Sequence, residues 1–158
     1  MTDNYIGIMI ESLRRKKDVL TDILKLSEEQ SFLLDDPNLE PDTFEKNVNR
    51  KAALIEKLEQ LDTGFESLYD KVKEELESNR DIHKEQIRQM QELIRALTEL
   101  NMQIQATEAR NKEKATAKFA YIRQQAKEIR SSQKIVKEYY NNMMHKAYNE
   151  PHFLDNKK

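Results

Sequence analysis

Cysteine and tryptophan are absent from this 158-residue chain, and glycine and proline occur only two and three times. Without cysteine, the chain has no disulfide, no thiolate nucleophile and no cysteine-based zinc site. Average usage would supply about 11 glycines and about 8 prolines, so few tight turns are available. These absences exclude a glycine-rich phosphate loop and favour long helices over a globular α/β enzyme.

Long hydrophobic runs are also missing, since hydrophobic residues make up 37% of the chain and charged residues 35%. No stretch approaches the ~20 apolar residues that a membrane-spanning helix needs. The N-terminus lacks the charged and then apolar pattern of a secretory signal. We therefore expect a soluble, cytoplasmic protein that buries narrow apolar seams and has no stable membrane insertion.

Charge is abundant but unevenly divided along the chain. The formal net charge is -2, with a balance of about -7 over residues 1–80 and about +5 over residues 81–158. The basic excess in the second half is diluted by acidic residues and forms no dense Lys/Arg stripe. Nucleic-acid binding is therefore not expected.

Helical periodicity is what the chain does have. A first helix is predicted over 3–34, where apolar residues recur at a spacing of three or four. Pro37 and Pro41 then interrupt the helical pattern. A second helix is predicted over 43–77, because its apolar residues form a heptad seam. That seam consists of Leu54, Leu58, Leu61, Phe65, Leu68 and Val72.

A third and longer helix is predicted over 82–146, a stretch without glycine or proline. Its apolar residues form two groups, over 87–104 and over 115–143. Between them, residues 107–114 contain only alanine as an apolar residue, which indicates either an exposed stretch of helix or a hinge. Pro151 ends the helical pattern, and residues 148–158 are expected to be a flexible tail.

Short connections make consecutive helices antiparallel neighbours. The predicted fold is all-α: an elongated antiparallel three-helix bundle or coiled coil, with a long C-terminal helix extending beyond it. This single helical domain covers its first seams internally and leaves the apolar face of 115–143 uncovered. A helix with such an exposed face has three possible arrangements. It folds back at 107–114, it dimerises with a second copy of the chain, or it binds a helix from another protein.

Residue patterns typical of catalysis or metal binding are missing. The three histidines belong to no H-E-x-x-H motif, and no Glu-x-x-His pair of a di-iron bundle occurs. Adjacent carboxylates, such as Glu74 and Glu75, point in different directions on a helix. The chain is therefore predicted to be non-enzymatic, with no catalytic, cofactor-binding or metal site.

Two stretches carry a resemblance to a known family. They are NRKAALIEKLEQLDTGFESLYDKV (49–72) and IRQMQELIRALTELNMQIQATEARN (87–111), the second ending in a Glu-x-x-Asn pattern at Glu108 and Asn111. Together with the overall length and the proline-containing first loop, they resemble the FlgN family of flagellar type III export chaperones. The resemblance covers most of residues 1–140. It implies a cytosolic chaperone without ATP hydrolysis, which holds hook–filament junction proteins (FlgK and FlgL) and delivers them to the export apparatus.

The resemblance also implies where clients bind, because the C-terminal region of the family binds a C-terminal helical segment of its clients. On this chain, that region coincides with the uncovered apolar face. The client-facing candidates are Phe119, Ile122, Ala126, Ile129, Val136, Tyr140 and Met143. A tyrosine that contacts the export gate is also implied, and the candidates are Tyr139, Tyr140 and Tyr148. The alternative hypothesis is a structural coiled-coil scaffold that self-associates into a homo-oligomer through the same face.

Overall fold

The computed structural model describes residues 2–125 and 136–143. Three long helices account for most of these residues: α1 (Thr2–Asp35), α2 (Pro41–Ser78) and α3 (Lys84–Gln125). A further helical segment, α4, spans residues 136–143. No strand occurs in the part of the chain that the structure describes. The prediction of an all-α bundle is thus confirmed.

Local chemistry explains where the helices begin and end. Helix α1 stops two residues before Pro37, because a proline disfavours helical geometry in the residue before it. In the loop, the Asp36 carboxylate accepts a hydrogen bond from the Asn38 backbone N–H at 2.8 Å. Helix α2 starts with Pro41 in its first turn, where the fixed φ and missing N–H of proline are tolerated. It ends where the Asn79 N–H donates to the Glu75 carbonyl at 2.9 Å.

Helix α1 lies between α2 and α3 and packs extensively against both. Because each short connection reverses the chain, α3 runs parallel to α1. Side-chain contacts confirm this alignment: Asn111 reaches the Ser27 carbonyl at 2.8 Å, and Lys114 reaches Asp35 at 2.9 Å. The C-terminal half of α1 is therefore level with residues 108–118 of α3.

The apolar core follows the predicted seams, except that the buried face of α2 is rotated slightly from the predicted heptad positions. Leu58, Phe65 and Val72 are buried as the heptad pattern predicts. Ile55 is also buried, however, while Leu54 is only half-buried. A straight α-helix drifts by about 20° per heptad relative to a 3.5-residue repeat, which moves neighbouring positions into the contact face. In α1, the least exposed core side chains are Ile6, Met9, Leu13, Leu20 and Ile23.

The stretch 107–114 is neither of the two things predicted for it, an exposed stretch of helix or a hinge. It lies inside α3 without a break, and Thr107, Glu108 and Asn111 are buried. It is therefore neither an exposed stretch nor a hinge. Its core-facing side chains are polar, so a search for apolar residues could not recognise them as part of the interior.

A single straight helix over 82–146 is also ruled out. At 1.5 Å per residue, Tyr140 would lie about 44 Å beyond Asn111 along such a helix. Instead, Tyr140 hydrogen-bonds to Gln30, which also accepts a hydrogen bond from Asn111. Segment α4 therefore packs back against the bundle and does not extend beyond it. The predicted tail, 148–158, lies outside the described residues.

Candidate functional site

Six buried polar side chains meet where the C-terminal half of α1 faces α2 and α3. Each is at most 2% exposed, although polar residues of these types are usually found at protein surfaces. We call them the polar cluster: Ser27 and Gln30 from α1, Asn47 and Lys51 from α2, and Glu108 and Asn111 from α3.

A buried ion pair joins two of the three helices within the polar cluster. The Lys51 ammonium contacts the Glu108 carboxylate and also donates to Gln30 Oε1 at 3.2 Å. Ser27 Oγ donates to the same carboxylate at 2.5 Å. Burial lowers the pKa of Lys51, and the negative charge of Glu108 opposes that shift. Because water is excluded, each charge depends on the other for its compensation.

The amide side chains of the polar cluster fix the alignment of the helices. Gln30 Nε2 donates to Asn47 Oδ1 at 3.0 Å, and Asn47 Nδ2 donates to the Leu26 carbonyl at 2.9 Å. Asn111 Nδ2 donates to the Ser27 carbonyl and to Gln30 Oε1, at 2.8 and 3.3 Å. Sliding one helix along another would break several of these bonds at once, so the network specifies one alignment.

Segment α4 covers this network from outside the three-helix bundle. The Tyr140 hydroxyl donates to Gln30 Oε1 at 2.5 Å. The Tyr139 ring lies 5.0 Å from the Lys51 ammonium, within the range of a cation–π interaction. Val136 and Met143 are buried on the same segment, at 5% and 6% exposed. We call the surface that α4 occupies the α4 groove, with Gln30, Lys51 and Glu108 beneath it.

Three polar atoms of α4 and the polar cluster beneath it have no hydrogen-bond partner. These are the Tyr139 hydroxyl, Glu108 Oε2 and Asn111 Oδ1, all buried among the described residues. A buried polar atom that makes no hydrogen bond loses the bonds it would make to water. Among these atoms, the Tyr139 hydroxyl lies on α4 itself, so release of α4 would let it hydrogen-bond to water.

The end of α3 is fixed to the first turn of α2 and to the C-terminal end of α1. Phe119 packs edge-on against Phe44, with ring centroids 5.8 Å apart. Lys118 donates to the carbonyls of Leu34 and Asp36, at 3.3 and 2.5 Å. A cation there compensates the partial negative charge of free carbonyls at the end of a helix.

The structure thus places several of the client-facing candidates in the same core. They pack against the bundle and are not exposed to solvent. Phe119, Val136, Tyr140 and Met143 are buried, and Ile122 is half-buried. The expectation of an uncovered apolar face is therefore wrong for the described part of 115–143, because α4 returns to the bundle. Of the gate candidates, Tyr139 is buried beside Tyr140. Ala126, Ile129 and Tyr148 lie outside the described residues.

The sequence analysis predicted no buried position for any residue of the polar cluster, although a signal was present. Ser27 and Gln30 continue the core-facing spacing of α1, and Asn47 and Lys51 do the same in α2. Polar residues at core positions are informative because they need buried partners. Glu108 was singled out for its likeness to a family motif, and the structure gives it a role as the partner of Lys51.

The tyrosines of α4 allow a pH test of docking. Burial, together with the negative charge of Glu108, raises the pKa of both Tyr139 and Tyr140 well above the ordinary tyrosine value. The docked segment therefore retains two phenol protons that an undocked segment loses near pH 10. Docking is stable below that pH and weakens as pH rises above it.

We expect native wild-type protein and the Tyr139→Phe/Tyr140→Phe variant to show the same phenolate absorbance around pH 10. In denaturant, the wild type should titrate two more phenols than the variant. An excess of about one phenolate equivalent in the native wild type at pH 10, as two half-ionised exposed phenols would give, would contradict the docked position of α4.

The fold and the site define an all-helical bundle protein with a buried polar cluster beneath a docked helical segment. Among the described residues, no helix is long and apolar enough to cross a membrane. That part of the chain also contains no group of three or more histidine or carboxylate side chains that could hold a metal ion.

The family model described as FlgN protein matches residues 1–145, and the chain belongs to this family. FlgN proteins are flagellar export chaperones, not enzymes, and they bind flagellar hook-associated proteins. No curated protein and no solved structure matches the chain.

Proposed function

We propose that this chain acts in the cytoplasm as a type III flagellar export chaperone for hook–filament junction proteins of the FlgK and FlgL kind. It would bind them through its amphipathic C-terminal region and deliver them to the export apparatus. Family membership supports the general role. The observation that carries the binding mechanism is α4, whose apolar and aromatic side chains are docked over polar atoms that remain unsatisfied.

The proposed mechanism is an exchange of helices. An amphipathic helix of the client takes the place of α4 in the α4 groove, as in other helix-in-groove complexes. The released α4 then closes over the client with its own apolar side chains. Because α4 is tethered, its effective concentration lies in the range of about millimolar. Weakly binding helices therefore fail to displace it, and only a well-matched client does.

The client-facing residues contribute to this exchange from two sides. Phe119 and Ile122 lie near the end of α3, beyond the polar cluster, and would form a fixed wall. The C-terminal region would supply the side that exchanges with the client. Its client-facing members are Ala126, Ile129, Val136, Tyr140 and Met143.

The same exchange would couple client loading to contact with the export gate. Tyr139 and Tyr140 are at most 8% exposed while α4 is docked. Either tyrosine could contact another protein only after α4 leaves the groove. Because Tyr140 would then face the client, a loaded chaperone would present Tyr139 to the gate, and an empty one would conceal it. Tyr148 remains the third candidate for this contact.

A self-associating scaffold is the less favoured function. It requires an apolar face that is free to meet a second copy. In the described part of 115–143, that face is instead covered within the chain. Light scattering that gives a monomer in the absence of client would support the chaperone over the scaffold.

The experiment that tests the proposal is the double substitution Ile122→Asp with Ile129→Asp. Placing two carboxylates on the client-facing side should weaken binding of a hook-associated junction protein at least about 100-fold, because two apolar contacts are lost. The control is Asn141→Asp with Asn142→Asp, which adds the same charges at exposed positions of α4. Pull-down assays and circular dichroism measure binding and helicity. Unchanged affinity in the first variant, with helicity retained, would reject the proposal.

A further inference from the structure

We propose that the polar cluster selects which helix can occupy the α4 groove. The occupant must bury a hydrogen-bond donor opposite Gln30, with apolar residues four positions before it and three positions after it. This inference rests on the helix exchange proposed above and adds the chemical character of the partner helix.

Segment α4 itself shows the pattern that fits the groove. Val136, Tyr140 and Met143 are spaced by four and three residues, which places them on one face of a helix. All three are at most 6% exposed. The Tyr140 hydroxyl enters the polar cluster and donates to Gln30 Oε1 at 2.5 Å, while its two apolar neighbours are buried on either side.

The groove offers more acceptors than α4 uses. Gln30 Oε1 receives hydrogen bonds from Lys51, Asn111 and Tyr140. In contrast, Glu108 Oε2 and Asn111 Oδ1 are buried without a partner in the part of the chain that the structure describes. Both unpartnered atoms are acceptors, whereas each side-chain nitrogen of the polar cluster already donates a hydrogen bond. What the polar cluster lacks is therefore a donor.

This imbalance determines the chemistry of the preferred partner. A purely apolar helix would leave Gln30 Oε1 with its Lys51 and Asn111 donors. It would cover Glu108 Oε2 and Asn111 Oδ1 without supplying a proton to either, at the cost of their hydration. A carboxylate at the same position would bring a further acceptor close to Glu108. A hydroxyl or amide side chain supplies the missing donor. A client whose donor reaches Glu108 Oε2 or Asn111 Oδ1 would therefore bind better than α4 itself.

The test uses two synthetic peptides that span residues 132–146, one with Tyr140 and one with Tyr140→Phe. The first receptor is the full chain with Tyr140→Ala, whose own α4 lacks the donor and competes less. The second receptor carries Gln30→Met in addition, which removes the acceptor but keeps the length of the side chain. Fluorescence polarisation measures all four affinities, and circular dichroism checks that both receptors fold.

On the first receptor, the tyrosine peptide should bind roughly two- to tenfold more tightly than the phenylalanine peptide, as one hydrogen bond allows. On the second receptor, the difference should disappear. Equal binding of both peptides to the first receptor, or the same preference on both receptors, would overturn the inference. So would failure of both peptides to bind. If the Gln30→Met receptor does not fold, the comparison on the first receptor decides.

Binding of a hook-associated junction protein to the wild-type chain is measured in parallel. If that protein binds while the peptides show no donor preference, only the selection by the polar cluster is rejected. If it does not bind, the proposed chaperone function fails as well.

Discussion

Lys51→Met should lower the free energy of unfolding by about 3–5 kcal/mol, the usual cost of removing one partner from a buried ion pair. The Lys51 and Glu108 side chains are 0% and 2% exposed. Without Lys51, the Glu108 carboxylate keeps only the Ser27 hydroxyl among the partners described above. The large cost therefore comes from the charge left behind and not from the strength of the pair itself.

The double variant Lys51→Met/Glu108→Met separates these two contributions. Because no buried charge remains, we expect it to recover most of the stability that the single variant loses. Urea denaturation followed by circular dichroism measures all three proteins. Arg88→Met is the matched control, since Arg88 pairs with Glu85 and Glu92 at the surface. It should leave the unfolding midpoint unchanged. A double variant that is no more stable than Lys51→Met would contradict the buried pair.

Phe44→Ala should destabilise the protein by about 3–5 kcal/mol, as is typical when a large aromatic core side chain is truncated. Phe44 is 4% exposed and packs edge-on against Phe119 at the end of α3. Its loss removes both the buried area and the aromatic contact that hold this end of α3 to the first turn of α2. The wall that we assign to the client would loosen as a result.

Phe32→Ala is the matched control for this prediction. Phe32 is 77% exposed, so the same substitution should change stability by no more than about 0.5 kcal/mol. Thermal unfolding of both variants measures the difference. Similar losses in the two variants would mean that Phe44 is not part of the core.

The long helices could be predicted from the sequence because their signals are local. Apolar residues at spacings of three and four, without glycine or proline, predict helix wherever they persist. Pro37 and Pro41 predict the first break for an equally local reason. The all-α bundle follows from these signals, since short connections bring consecutive helices side by side.

The return of α4 to the bundle could not be predicted in the same way. Residues 126–135 contain neither glycine nor proline, so nothing in the pattern indicates that the helix does not run straight. The docking of α4 depends on contacts with residues such as Gln30, more than 100 positions away in sequence. The spacing of apolar residues predicts only local structure, so it carries no information about contacts between residues that are distant in sequence.

The polar cluster escaped prediction for a different reason. A search for seams counts apolar residues and treats Lys51 or Gln30 as part of a solvated face. Only their partners on other helices reveal that they are core residues. The likeness to the FlgN family rests on neighbouring apolar positions and on Lys51, Glu108 and Asn111, and the family match confirms it.

The central claim is that a client displaces α4 from its groove. Its most direct test places spin labels at Glu28→Cys on α1 and Asn142→Cys on α4, both exposed positions in a chain without native cysteine. Electron paramagnetic resonance then measures the distance between the labels. The free protein should give one narrow population of distances. Saturation with a hook-associated junction protein should replace it with a longer one. An unchanged distance in the saturated complex would contradict the exchange.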